Sequence, residues 1–332
     1  MKIDIFAHIV TPKYKEGLHK KMPAGAWPLK LMEGYPTLFD LDARFRVMDK
    51  YEGLVQVICT GAPAVEDAAS PKDTVELARI ANDEMAELVR KYPDRFVAAV
   101  ACLPMNDVDA ALQETDRAIR DLKFRGVQLH SDINGKPLDS PEFDPIFKKM
   151  TEYNLPILLH PEIRTRNVPD YPTETESKYL IHLIFGWPYR TTLAMTRLVM
   201  SGVLEKHPTL KVVTHHCGEM VPFFEQRFHT ILNAHQMRMG VRQEPYLKKP
   251  PLDYFRMFYA DTVIQSTPAL MCAYAFFGAG HLLFGTDMPY DAQVGDVYTR
   301  ETILTVERMT IPDSEKKKIF EDNARELMRL PV

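Results

Sequence analysis

MKIDIFAHIVTP, residues 1–12, opens the chain with an apolar, strand-like run that stops on His8. Alternate residues of a strand point to the same side, so two histidines spaced by one residue at a strand end form half of a common metal cage. Here the position two before His8 is Phe6. The stretch is therefore either a metal site with one ligand missing or a strand that only happens to end in histidine. It is also the template of the architecture, because the same kind of run keeps returning along the chain.

Short apolar runs recur at LVQVICT (54–60), RFVAAVACL (95–103), GVQLH (126–130), LPILLH (155–160), LKVVTH (210–215), MFYADTV (257–263) and HLLFGT (281–286). Between them lie stretches with apolar residues at three- and four-residue spacing, the mark of amphipathic helices: residues 73–92, 107–122, 142–153 and 191–207. The last helix, from Ser314, follows Asp313-Ser314, which reads as its cap. Eight buried strands alternating with helices predict a single α/β unit over residues 1–332, a TIM-type (β/α)8 barrel. The competing architecture is an open doubly wound sheet; its dinucleotide-binding form needs a GxGxxG after a strand, and none is present. Two stretches read as excursions from the barrel, near 10–40 and 161–188, and long loops in compact domains are usually functional.

Composition narrows the partners. Apolar residues make up 45% of the 332, charged residues 26%, and the net charge is −4. These are ordinary values for a soluble globular protein. No basic tract interleaved with aromatics suggests nucleic acid, and no apolar run has membrane-spanning length. The N-terminus shows no signal-peptide pattern, and the four cysteines, Cys59, Cys102, Cys217 and Cys272, are scattered without a CxxC. Reduced thiols in a cytoplasmic protein are the expectation.

In such a barrel the site lies at the C-terminal ends of the strands. His8, His130, His160 and the pair His215-His216 end their strands, and Asp287 follows the eighth. One buried histidine usually just bonds a backbone carbonyl. Several in one ring, with an aspartate, are the residue types that bind Zn2+ or a similar ion while leaving a position open. His216-Cys-Gly-Glu219 also sets a carboxylate three residues after a histidine, which would orient the ring and stabilise its protonated form. Alternatively, Glu219 only favours the start of the next helix. His215 is adjacent to His216, and neighbours on a strand face opposite sides, so one of the two is expected to reach the site.

"HP" at 160–161, "HHCGE" at 215–219, "GTDMPY" at 285–290 and "DNARELMRL" near the end resemble the amidohydrolase-2 family. "FDLDARFRVMDKYEGLVQVIC", "KYPDRFVAAVACLP" and "KFRGVQLHSDINGKPLDSPEFDPIF" extend the resemblance over nearly the whole chain. Within the family they are similar to aminocarboxymuconate-semialdehyde decarboxylase and to the γ-resorcylate and 5-carboxyvanillate decarboxylases. The resemblance implies metal ligands at His8, His160 and Asp287, with Phe6 standing where the family has His or Glu. It implies one divalent ion (zinc first, manganese or magnesium otherwise), since His130 falls near the place of a bridging lysine in two-metal relatives. It implies no organic cofactor, and a proton-handling role for His216 backed by Glu219. Arg227 matches an arginine that in some members reaches a neighbouring subunit's site, which implies a homodimer or higher homo-oligomer. A counterpart to the other substrate-binding arginine of the muconate-type enzyme is not evident around "MEGYPTLFD".

Substrate contacts are expected from Arg164 and Arg166, just after His160, and from Phe6, His130, Phe185 and Trp187, although core packing is the commoner fate of such aromatics. The expected function is metal-assisted decarboxylation of a small hydroxylated aromatic or unsaturated carboxylic acid. The alternatives are a hydrolase or hydratase built from the same parts, and a metal-free binding protein, which Phe6 keeps open.

Overall fold

Parallel strands covered on both faces need nearly continuous apolar sequence, and these runs supply it. In the computed structural model, which describes residues 1–239 and 247–332 apart from the side chains of 165, 166, 235, 236 and 239, they form β1 (Lys2–Ile9), β2 (Leu54–Thr60), β3 (Phe96–Ala99), β4 (Val127–His130), β5 (Ile157–His160), β6 (Val212–Thr214), β7 (Tyr259–Asp261) and β8 (Leu282–Leu283). Neighbours pair in parallel as β1–β2–β3 and as β4–β5–β6–β7–β8. Parallel bridges Ala101–Val127 and Ala7–Met288 join the two groups and close the (β/α)8 barrel. Strands are shorter than the apolar runs, because their outer residues pass into the loops. A small antiparallel hairpin, 132–137, follows β4 and turns on Asn134-Gly135, a pair that favours the positive φ (51° and 83°) of a two-residue hairpin loop.

The barrel interior is filled by Ile3, Ile5, Phe6, Val57, Cys59, Val100, Leu158, Val213 and Leu283. Leu327 and Met328 of the last helix, Asn323–Met328, pack on the same cluster. Ile5 and Phe6 are sequence neighbours, yet both belong to it. The pairing of β1 with β2 shifts register between Asp4 and Ala7, a bulge that resets the alternation. Asp4 holds the irregularity from outside: its buried carboxylate accepts from Thr286 N at 2.9 Å, Thr286 Oγ1 at 2.6 Å, Phe6 N at 3.2 Å and Gln56 Nε2 at 3.2 Å. Beside it the fully buried Arg44 donates Nη1 to the carbonyls of His8 (2.7 Å) and Thr37 (3.1 Å), and Nε to Gln56 Oε1 (2.9 Å).

The first excursion is largely helical, at Pro12–Lys21 and Trp27–Glu33, each with proline in the first turn, where its missing N–H costs nothing. Arg44 thus ties this excursion to the end of β1. The second excursion contains a turn at Arg164–Asn167 and runs into the helix Trp187–Met200. One cap expectation is corrected: Asp313 is the first residue of the helix Asp313–Lys317, whose cap position is Pro312 and makes no side-chain bond. All four cysteines are free, and among the described residues no helix is long and apolar enough to cross a membrane.

Candidate metal centre and cleft

The strand-end histidines converge. His8 and His160 pack edge to face with ring centroids 5.1 Å apart, and His160 and His215 stack at 5.1 Å. Ligand nitrogens of His8, His160 and His215 lie within 4.8 Å of one another, as do those of His215 and His216 with an Asp287 oxygen. Each inner ring is fixed from behind. His8 Nδ1 sits 2.9 Å from Thr60 O, His160 Nδ1 is 2.6 Å from Pro161 O, and His215 Nδ1 bonds the Asp261 carboxylate. A carbonyl can only accept, so Nδ1 of His8 and of His160 carries the proton and Nε2 is left as a lone pair. Histidines that bind metals are commonly held this way by carbonyls or carboxylates.

Asp287 faces this group. Its Oδ1 is 3.2 Å from His8 Nε2 and 3.3 Å from His215 Nε2, and its Oδ2 is 3.9 Å from His216 Nε2. His8 Nε2 is buried and has no bond of hydrogen-bond geometry. A fully buried lone pair in that state, next to a carboxylate and two more imidazoles, fits a cation. Burial disfavours an ionised Asp287, but His215, through its bond and its charge, outweighs it, with His216 adding to the effect, and the carboxyl is held well below the usual range. Burial, with the neighbouring histidines, pushes His160 well down, so it stays a neutral ligand-type imidazole.

His216 belongs to the opening. Its Nδ1 lies 2.9 Å from Glu219 Oε1. Burial works against its charge, but Glu219, with Asp287, holds its pKa well above the ordinary histidine value. The turn carrying it is strained: His216, Cys217 and Glu219 have φ of 50°, 60° and 57°, and Asp287 has 61°. Asp261 pins the turn by accepting from Cys217 N and Val263 N, both at 2.9 Å. Gly218, at φ +77°, leaves no room for a Cβ, which would lie 2.5 Å from Phe277.

A cleft of about 370 Å³ opens above. His160, His216, Glu219 and Asp287 line it with Trp27, Leu31 and Tyr35 of the first excursion, Leu183, Ile184 and Trp187 of the second, and Gln265, Tyr290 and Tyr298. Both excursions therefore build its walls.

A family model described as Amidohydrolase matches residues 3–330. The chain belongs to the amidohydrolase family. It is 27% identical over 343 residues to a γ-resorcylate decarboxylase of Rhizobium radiobacter, covering 98% of this chain and 99% of that protein. It is 27% identical over 348 residues to the 2-amino-3-carboxymuconate-6-semialdehyde decarboxylase of Dictyostelium discoideum (99% and 92%). Among solved structures it is similar to a dihydroxybenzoic acid decarboxylase from Polaromonas with bound manganese and the inhibitor 2-nitroresorcinol: TM-score 0.78, 27% identity, 100% of this chain and 97% of that one.

In this amidohydrolase several expected substrate contacts lie elsewhere. Phe6 has no exposed surface and does not line the cleft; its ring stacks on His215 at 4.1 Å. Arg164 bonds Asp132 and lies 3.3 Å from Asp67 and 3.4 Å from Glu162, so its charge is spent within the protein. The side chain of Arg166 lies outside the described residues. His130 is buried against His160 and Glu66. Phe185 and Arg227 are exposed and are not among the cleft residues, whereas Trp187 is. The sequence alone did not single out Asp261, Tyr35, Tyr290, Tyr298 or Gln265. Asp261 sits inside an otherwise apolar run, where one acidic residue was itself a signal.

Proposed function

We propose that this chain is a divalent-metal-dependent decarboxylase of a small hydroxylated aromatic acid. The observation that carries the reading is His216, backed by Glu219 and set at the cleft wall beside Asp287. The named activities of similar chains support it. His8, His160 and Asp287 would hold the ion, which when bound supplies Lewis-acid charge for a substrate oxygen. An imidazole-rich donor set suits zinc, with manganese the alternative.

The protein's own part is positioning and proton transfer. Trp27, Trp187 and the apolar wall hold a flat ring and shed its water, with the carboxylate toward the floor. As the C–C bond breaks and CO2 departs, its electron pair stays on the ring carbon. The proton on His216 Nε2 caps that carbon, while Glu219 keeps the proton on Nδ1 and fixes the ring. Solvent then returns one proton to Nε2, which balances the conversion of carboxylate and proton into CO2 and the C–H product. We extend the proposal to a homo-oligomer, supported by exposed Phe185, Tyr189 and Phe223, with Arg227 one helical turn beyond Phe223. A reducing, cytoplasmic setting agrees with the four free cysteines.

His216→Ala should lower CO2 release from dihydroxybenzoates by about 10²–10⁴-fold with little change in melting temperature. Unchanged turnover would remove His216 from the reaction, and water addition without CO2 release would replace the decarboxylase by a hydrolase or hydratase.

A further inference from the structure

His215 has no surface on the cleft, yet it is tightly fixed. It is fully buried. Its ring lies flat on Phe6 (4.1 Å between centroids, 19° between planes) and stacks on His216 at 3.9 Å. Its Nδ1 is bonded to Asp261, whose other oxygen is occupied by two backbone N–H groups, so the carboxylate cannot swing away. What remains is Nε2, aimed at the same Asp287 oxygen as His8 Nε2, 3.3 Å against 3.2 Å.

Around an ion bonded at about 2.0–2.2 Å, adjacent tetrahedral donors lie about 3.3–3.6 Å apart. The two contacts to Asp287 Oδ1, 3.3 Å from His215 and 3.2 Å from His8, fall at and just below the lower end of that spacing. His8, His160 and His215 also share one design: Nδ1 held by an outer acceptor, the ring buried, Nε2 turned inward. His216 differs, being held by Glu219 at the cleft wall.

We propose that His215 is a protein ligand of the metal through Nε2, completing a centre of His8, His160, His215 and Asp287 and leaving His216 free for protons. Phe6 then has a defined part without any ligand atom: it is the flat support that sets the plane of the His215 ring. The first strand contributes one ligand, His8, and the sixth supplies another. The inference rests on the proposed reading only for the presence of a divalent ion.

The test is binding of Zn2+ to metal-stripped protein, followed by calorimetry. His215→Ala should weaken binding by at least about 100-fold and Asp261→Asn by roughly 10-fold, the scale seen for lost supporting contacts to ligands. His216→Ala should leave binding unchanged. Because a cavity at 215 could unfold the barrel, X-ray absorption on unaltered, cobalt-loaded protein provides the second reading: three imidazoles support the proposal and two overturn it. Wild-type affinity in a folded His215→Ala variant overturns it as well, as does a protein that takes up no divalent ion. A four-ligand centre with no CO2 release would leave this inference standing and remove the decarboxylase; His216-dependent CO2 release without metal would do the reverse.

Discussion

Glu66 offers a perturbation whose size follows from its surroundings. It lies in the short turn Val65–Ala68 after β2, 5% exposed, with Oε1 3.8 Å from His130 Nδ1. Such a distance suggests an ion pair, but the environment says otherwise. Burial pushes Glu66 up to about 8, with neighbouring Asp67 adding to the rise and its own backbone bond and Arg164 opposing it. Burial pushes His130 down to about 3. At neutral pH both are therefore uncharged. The unfolded chain ionises Glu66 near 4.5, whereas the folded protein holds the proton to about 8. Its contribution is thus fully present below pH 4.5 and is lost as pH rises to 8. The gap of 3.5 between those two values corresponds to an upper bound of about 4–5 kcal/mol. Glu66→Gln keeps the shape and cannot ionise. Its stability relative to the native chain should rise by several kcal/mol between about pH 5 and pH 9, most of it below neutrality, and level off above about pH 8. Denaturant midpoints of the two proteins across that range measure the difference. Curves that stay parallel would show that Glu66 is not held neutral in the fold, and the argument from burial would fail.

Two predictions concern the cleft. A Cβ on Gly61 would lie 2.4 Å from the Tyr290 hydroxyl, so Gly61→Ala should displace Tyr290, which packs on His8 and Tyr35, and raise KM more than it lowers kcat in steady-state assays. Among the described residues lining the cleft there is no lysine or arginine; a second substrate carboxylate would be poorly matched there, and Ile184→Arg should improve kcat/KM for an aromatic dicarboxylate over a monocarboxylate by roughly 10-fold or more.

The parts legible in the sequence were those that a strand end fixes by itself. In a parallel barrel every strand delivers its C-terminal residue to one rim, so His8, His160, His216 and Asp287 could be placed together without knowing a single contact. The cleft walls were visible only as excursions. Tyr35 and Tyr290 come from loops with no periodicity and Tyr298 from the first turn of the helix Asp296–Glu307, and nothing local distinguishes a tyrosine that faces substrate from one in the core. Arg164 failed as a substrate contact for a different reason. A cation after a metal-type histidine looks available until the chain brings Asp67 and Asp132 to it, from β2 and β4 loops far away in sequence.

Phe6 shows where reading strand by strand stops. The parity argument held: Phe6 and His8 both point inward, although a bulge lies between Asp4 and Ala7. What parity does not give is depth or neighbour. Phe6 sits beneath the rim, and the surface it covers belongs to His215, 209 positions along the chain and 4.1 Å away in space. A missing ligand on one strand cannot be judged from that strand, because donors around a barrel are interchangeable so long as their atoms meet at one point. The doubled histidine at 215–216 looked redundant beside a strand, where neighbours face opposite ways. The strained turn removes that restriction: β6 ends at Thr214 and His216 takes φ 50°, so both rings turn toward Asp287, one from below with Nδ1 held by Asp261, the other from the wall with Nδ1 held by Glu219. That geometry is what lets the pair divide into one residue suited to a cation and one suited to a proton.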